Sequence, residues 1–72
     1  MTDPRTLGSR LRTMREAKEL SFAQVAAKAG LTKAYVERVE RDRVNPSVKT
    51  VEALAGGLGC SPGWLAFGGD QR

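Results

Sequence analysis

The chain has 72 residues, a formal net charge of +4 and 40% apolar residues. A chain this short makes one domain, residues 1–72, that buries only about 60% of its unfolded surface. One cysteine and no histidine exclude an internal disulfide and a structural metal cluster, and fit a reducing cytoplasm or no preference of compartment. No apolar run approaches the ~20 residues that span a bilayer, and the N-terminus lacks a signal-peptide core. A sequence pI near 9.8 suits a polyanionic partner.

In chain order, Asp3-Pro4 reads as a helix start, an N-cap acceptor followed by proline at the first helical position. Leu7, Leu11 and Met14 follow at helical spacing, which predicts a first helix from about Pro4 to Lys18. Ser21-Phe22-Ala23-Gln24 is a capping box. It opens a second helix whose buried stripe is Phe22, Val25, Ala26 and Ala29. Gly30 ends that helix in the left-handed conformation that glycine adopts without steric cost. Thr32 caps a third helix, about Lys33 to Arg41, with Val36 and Val39 inward. A polar loop follows, Asp42 to Pro46. Ser47 caps a fourth helix with the stripe Val48, Val51, Leu54, Ala55 and Leu58, closed by Gly59. Within it, Gly56-Gly57 breaks the local rules at about 1 kcal/mol per glycine: either a neighbouring helix passes close, or the helix is weak. Ser61-Pro62 starts a short fifth turn holding Trp64 and Leu65, and Gly68 to Arg72 reads as a frayed tail. No segment alternates with period two, so the fold class is all-α, five short helices with short connections.

The second and third helices and their glycine-containing turn make a helix-turn-helix. The two helices cross steeply, so the crossing needs a small side chain, supplied by Ala26. The turn needs a residue tolerant of positive φ, supplied by Gly30. The second helix needs apolar anchors, supplied by Val36 and Val39.

With these residues in place, the chain resembles the Cro/repressor class of helix-turn-helix proteins, the XRE family. The resemblance covers about Leu7 to Gly68 and rests on "LGSRLRTMREAKELSFAQVAAKAGLT", "YVERVERDRVNPSVKTVEALAGGLG" and "SPGWLAFG". It implies a five-helix Cro/repressor-like domain and sequence-specific binding of double-stranded DNA as a homodimer on a palindromic operator. It also implies a cytoplasmic regulator of bacterial or phage origin, with no cofactor, no membrane and no small-molecule ligand.

Carried over residue by residue, the resemblance makes helix 3 the recognition helix in the major groove. Base readout falls to Lys33, Ala34, Glu37 and Arg38. A guanidinium at Arg38 could bond O6 and N7 of guanine, Ala34 could meet a thymine methyl, and Glu37 could accept from cytosine or orient a neighbouring arginine. Phosphate contacts fall to Arg10, Gln24, Tyr35, Arg41, Arg43, Asn45, Lys49 and Thr50, aided by helix N-termini. Arg15 and Glu40 match a structural ion pair, and Leu65 with Phe67, partly exposed, match the dimer seam, while Trp64 plugs the core. Two positions depart from the family. Phe22 stands where relatives carry a phosphate-bonding glutamine or threonine, and packs into the core or against sugar edges. Asp42 stands where relatives often have glycine, and turns away from DNA or pairs with Arg43.

Catalysis is not expected: there is no histidine, no nucleophile beside a base, and no phosphate-cradling glycine loop, since Gly56-Gly57-Leu58-Gly59 lacks the lysine of a P-loop. A phage repressor and a restriction–modification controller protein fit about equally well. The alternative from another class is an antitoxin-type protein-interaction module with secondary DNA binding.

Overall fold

The computed structural model describes residues 5–68, which fold into α1 (Leu7–Ala17), α2 (Phe22–Ala29), α3 (Lys33–Glu40), α4 (Val48–Leu58) and α5 (Pro62–Phe67). No strand occurs among the described residues. Helix α2 packs against α3 and α4, α1 against α3 and α5, and α4 against α5. At the centre, Leu11, Val25, Val36, Leu54, Ala55 and Leu65 are fully buried. Burying each leucine or valine stabilises the fold by about 1.5–3 kcal/mol.

The first helix begins later than its sequence suggests. Asp3-Pro4 lies outside the described residues, and the N-cap is Thr6, in extended backbone with φ −112° and ψ 158°. Its hydroxyl accepts from the Ser9 N–H at 3.0 Å, while the Ser9 hydroxyl accepts from the Thr6 N–H at 3.2 Å. A Thr-x-x-Ser box thus does what the Asp-Pro step was expected to do. Ser21, Thr32, Ser47 and Ser61 cap the other four helices by accepting from Gln24, Tyr35, Thr50 and Trp64.

Four helices end in the same way. Gly30 (φ +71°) and Gly59 (φ +70°) close α2 and α4 in the left-handed region, as do the non-glycines Glu19 (φ +55°) and Asp42 (φ +56°) after α1 and α3. The residue beyond each donates back to a carbonyl five residues earlier, Leu20 to Arg15, Leu31 to Ala26, Arg43 to Arg38 and Cys60 to Ala55, at 2.9–3.0 Å. This pattern satisfies carbonyls that the helix end would otherwise leave without partners.

Three expectations from the sequence are corrected by the packing. Val48 is 79% exposed, because it is the first residue of α4 and points away from the core stripe that Val51 begins. Leu65 is fully buried rather than partly exposed, so it belongs to the core and cannot form a seam. Arg10 is only 5% exposed. Its Nε donates to the Leu65 carbonyl at 2.8 Å and its Nη2 to the Ala66 carbonyl at 2.7 Å. The last carbonyls of a six-residue helix have no intrahelical donors, and the negative end of the helix favours a cation there. Arg10 therefore joins α1 to α5 and is withdrawn from the phosphate set.

The two glycines of α4 differ. A Cβ at Gly57 would come 3.1 Å from Lys28 Cβ on α2, so this glycine allows close approach of the two helices. At Gly56 the same atom would meet nothing within 4 Å.

Candidate nucleic-acid interface

The turn between α2 and α3 is set by backbone chemistry. Gly30 reverses the chain, Thr32 starts α3 by accepting from the Tyr35 N–H at 3.1 Å, and Ala26, 4% exposed, sits in the core below. Val36 and Val39 are buried at 0% and 1% exposure and fix one side of α3 to the domain. The opposite side is left to solvent.

On that outer side Lys33, Ala34, Arg38 and Arg41 are exposed, and Tyr35 and Glu37 are half-buried. Lys33 Nζ lies 3.8 Å from Glu37 Oε1, one helical turn apart. This is a loose surface pair worth a few tenths of a kcal/mol, so it holds neither side chain firmly. Tyr35 and Arg38 share an open hollow with Gly30, Leu31, Thr32 and Thr50, which brings the turn, α3 and the start of α4 to one surface.

The flanking residues come from two helix starts and one loop. Gln24 is exposed, and its Oε1 accepts from the Ser21 N–H at 2.8 Å, which leaves its NH2 group for other acceptors. Arg43, Asn45 and Lys49 are exposed, and Thr50 is half-buried with its hydroxyl 3.0 Å from that of Ser47. Lys33, Arg38, Arg41, Arg43 and Lys49 thus bring cations to α3 and the elements after it, with Glu37, the inward-facing Glu40 and Asp42 as the acids on α3 and its C-terminal turn. Asp42 does not pair with Arg43. Its carboxylate accepts from the Thr6 hydroxyl at 2.8 Å and from the Gly8 N–H at 3.0 Å, at the start of α1. The sequence reading missed this role. Its signal was an acid at the position after α3 where the chain needs a left-handed residue and offers no glycine.

Behind the surface, Arg15 and Glu40 form a two-pronged ion pair. Arg15 Nε and Nη2 donate to the two Glu40 oxygens, both at 2.8 Å, and Nη1 donates to the Leu20 carbonyl at 3.0 Å. The side chains are 14% and 6% exposed. Hydrogen bonding to Glu40 raises the Arg15 pKa further above its ordinary value, against the opposing effect of burial. The guanidinium carbon also lies 4.3 Å from the centre of the Phe22 ring. Phe22 is therefore half-buried over the ion pair, a cation–π contact, which explains a phenyl group at the start of α2.

Residues 6–66 match a family described as the helix-turn-helix domain. The immunity repressor protein of Bacillus phage phi105 is 46% identical over 54 residues, covering 75% of this chain and 38% of the repressor. The chain thus spans well under half of that relative's length. Among solved structures, the restriction-modification controller protein C.AhdI from Aeromonas hydrophila superposes with a TM-score of 0.81 at 38% identity, covering 90% of this chain and 98% of that one. The P22 c2 repressor protein, in complex with a synthetic operator, superposes with a TM-score of 0.84 at 26% identity, covering 89% and 97%. With its turn geometry, its five helices and a match over most of its length, the chain belongs to the helix-turn-helix family of the Cro/repressor (XRE) type.

Proposed function

We propose that the chain is a sequence-specific DNA-binding transcription regulator that docks α3 in the major groove of duplex DNA. The observation that carries this reading is the outer face of α3. The side chains of Lys33, Ala34 and Arg38 are exposed and outside the core, and cations on α3, the following loop and α4 surround them. Base readout is assigned to Lys33, Ala34, Glu37 and Arg38, and phosphate contact to Gln24, Tyr35, Arg41, Arg43, Asn45, Lys49 and Thr50. The phi105 relative is an immunity repressor and the P22 relative was solved with an operator, which supports the same reading here.

The operator would be palindromic and the bound form a homodimer. Phe67, 87% exposed, and Val48 line one apolar groove with Leu7, Pro46, Pro62 and Ala66. Two large exposed apolar residues that share one apolar groove, rather than standing singly, favour burial against a second copy. Two-fold pairing sets recognition helices about 34 Å apart, one DNA turn.

Selection of bound sequences from a random duplex pool tests the proposal. The expected product is an enriched two-fold-symmetric site. Affinity should fall with salt at a log–log slope of about −0.9 per neutralised phosphate. Arg38→Ala should cost about 1–3 kcal/mol on the selected site and much less on random DNA. No enrichment, together with a flat salt dependence, would remove DNA from the function.

A further inference from the structure

Asp42 combines two features that each need a reason. It is a non-glycine held at φ +56°, a backbone state that disfavours residues bearing a side chain. It is also an acid beside a surface on which, apart from the half-buried Glu37, the outward-facing charges of α3 and the next loop are positive. Its two carboxylate oxygens face the start of α1, one on the Thr6 hydroxyl at 2.8 Å and one on the Gly8 N–H at 3.0 Å. The first turn of α1 has no acid of its own, so Asp42 supplies from across the fold the negative charge that a helix start favours. The two chains of backbone are in close contact here. A Cβ on Gly8 would stand 2.5 Å from the Glu40 carbonyl oxygen and 2.7 Å from that of Val39. From this anchor the Asp42 N–H donates to Val39 at 3.0 Å and the Arg43 N–H to Arg38 at 2.9 Å. The direction in which the chain leaves α3, and so the place of Arg43, is fixed by these bonds.

We propose that Asp42 is a positioning residue for DNA contact: by tying the end of α3 to the start of α1, it sets Arg43 against the phosphate backbone. The proposal rests on the DNA-binding reading above. It makes a prediction opposite in sign to simple charge. Removing an acid beside DNA should tighten binding by Coulomb's law. Removing a positioning group should weaken it.

The test is duplex affinity for Asp42→Gly, Asp42→Asn and Arg43→Ala, singly and combined, at a temperature where circular dichroism shows each variant folded. Glycine keeps the left-handed backbone and loses both side-chain bonds. Asparagine tolerates the same backbone and keeps an acceptor for Gly8. Asp42→Gly should lose about tenfold in affinity, the lower end for a hydrogen bond to a charged group, and its salt slope should shrink by about one contact. Asp42→Asn should fall between the parent and Asp42→Gly, because it keeps one acceptor for Gly8 and loses the charge and the second acceptor. Arg43→Ala should cost nothing further in the Asp42→Gly background. Thr6→Val removes one of the two bonds together with the N-cap of α1; it should lose affinity where Ser9→Ala, which weakens the capping box alone, does not, and this pair carries the test if Asp42→Gly does not fold. Tighter or unchanged binding by the glycine variant, additive losses with Arg43→Ala, or an asparagine variant as weak as the glycine one would each overturn the proposal. A parent chain that binds no duplex at all would instead overturn the DNA-binding reading, and this assignment with it.

Discussion

Replacing Glu40 with alanine strands Arg15 in a place built for a pair. The guanidinium would keep its bond to the Leu20 carbonyl and its contact with Phe22, and lose both 2.8 Å bonds to carboxylate oxygens. At 14% side-chain exposure little solvent reaches it to replace them. Breaking a buried pair from one side costs about 3–5 kcal/mol. A chain of 72 residues has a total stability of about 4–11 kcal/mol. The substitution therefore removes about a quarter or more of what holds the domain together. At about 4–8 °C per kcal/mol for a domain of this size, the melting temperature should drop by at least ~12 °C. Urea unfolding followed by circular dichroism at 222 nm measures the loss. The double variant Arg15→Met/Glu40→Leu should be clearly less damaging than Glu40→Ala, since an apolar pair leaves no stranded charge. A loss below about 1 kcal/mol for Glu40→Ala, the range of exposed pairs, would refute the reasoning. So would a double variant as unstable as the single one.

Gly8→Ala should destabilise by about 3 kcal/mol or more, at the upper end for overpacking, because the new Cβ meets backbone carbonyls of Val39 and Glu40 that cannot step aside; an unchanged urea midpoint would contradict it. Gly56→Ala should stabilise by about 0.5–1 kcal/mol, since the site is exposed and open on the outer side of α4, and a fall in melting temperature would show that the space is not free. Burial raises the Cys60 pKa, with Lys18 opposing. Alkylation at pH 8 should then be slower in the folded chain than in urea, and its rate should still rise with pH after the unfolded chain's has levelled. By linkage, the stability contributed by the protonated thiol is full below the unfolded pKa and lost as pH rises through the folded one. Coincident pH profiles would remove the effect.

The helices and their order were legible because all carry an apolar stripe and the last four begin with a hydroxyl-bearing cap, whereas the cap of the first, Thr6, went unread behind Asp3-Pro4. Gly30 and Gly59 marked their stops because glycine alone needs no compensation in the left-handed region. Glu19 and Asp42 stop helices in the same geometry and passed unread, because the compensation lies in tertiary contacts that no local pattern encodes. Arg10 shows the same limit at the candidate interface. In sequence it is one more cation on α1, and only the meeting of α1 with α5 shows that its charge is turned inward. Phe22 was legible as an odd residue but not as a cover, since its partner Arg15 lies on another helix. The outer face of α3 was easier. Val36 and Val39 fix which side is inward, and the remaining residues follow from helical geometry.

The bond from Arg10 to the Leu65 and Ala66 carbonyls has a consequence for how the domain opens. The last helix is six residues long, short enough to fray if it stood alone. Fraying would take two carbonyl acceptors from a guanidinium only 5% exposed, so the departure of α5 disturbs the packing of α1 as well. Its amides should exchange with solvent as slowly as those of α1, at the rate of whole-domain unfolding rather than of a loose end. The two helices furthest apart in sequence thus open as one unit, and the exposed Phe67 stands on a rigid base.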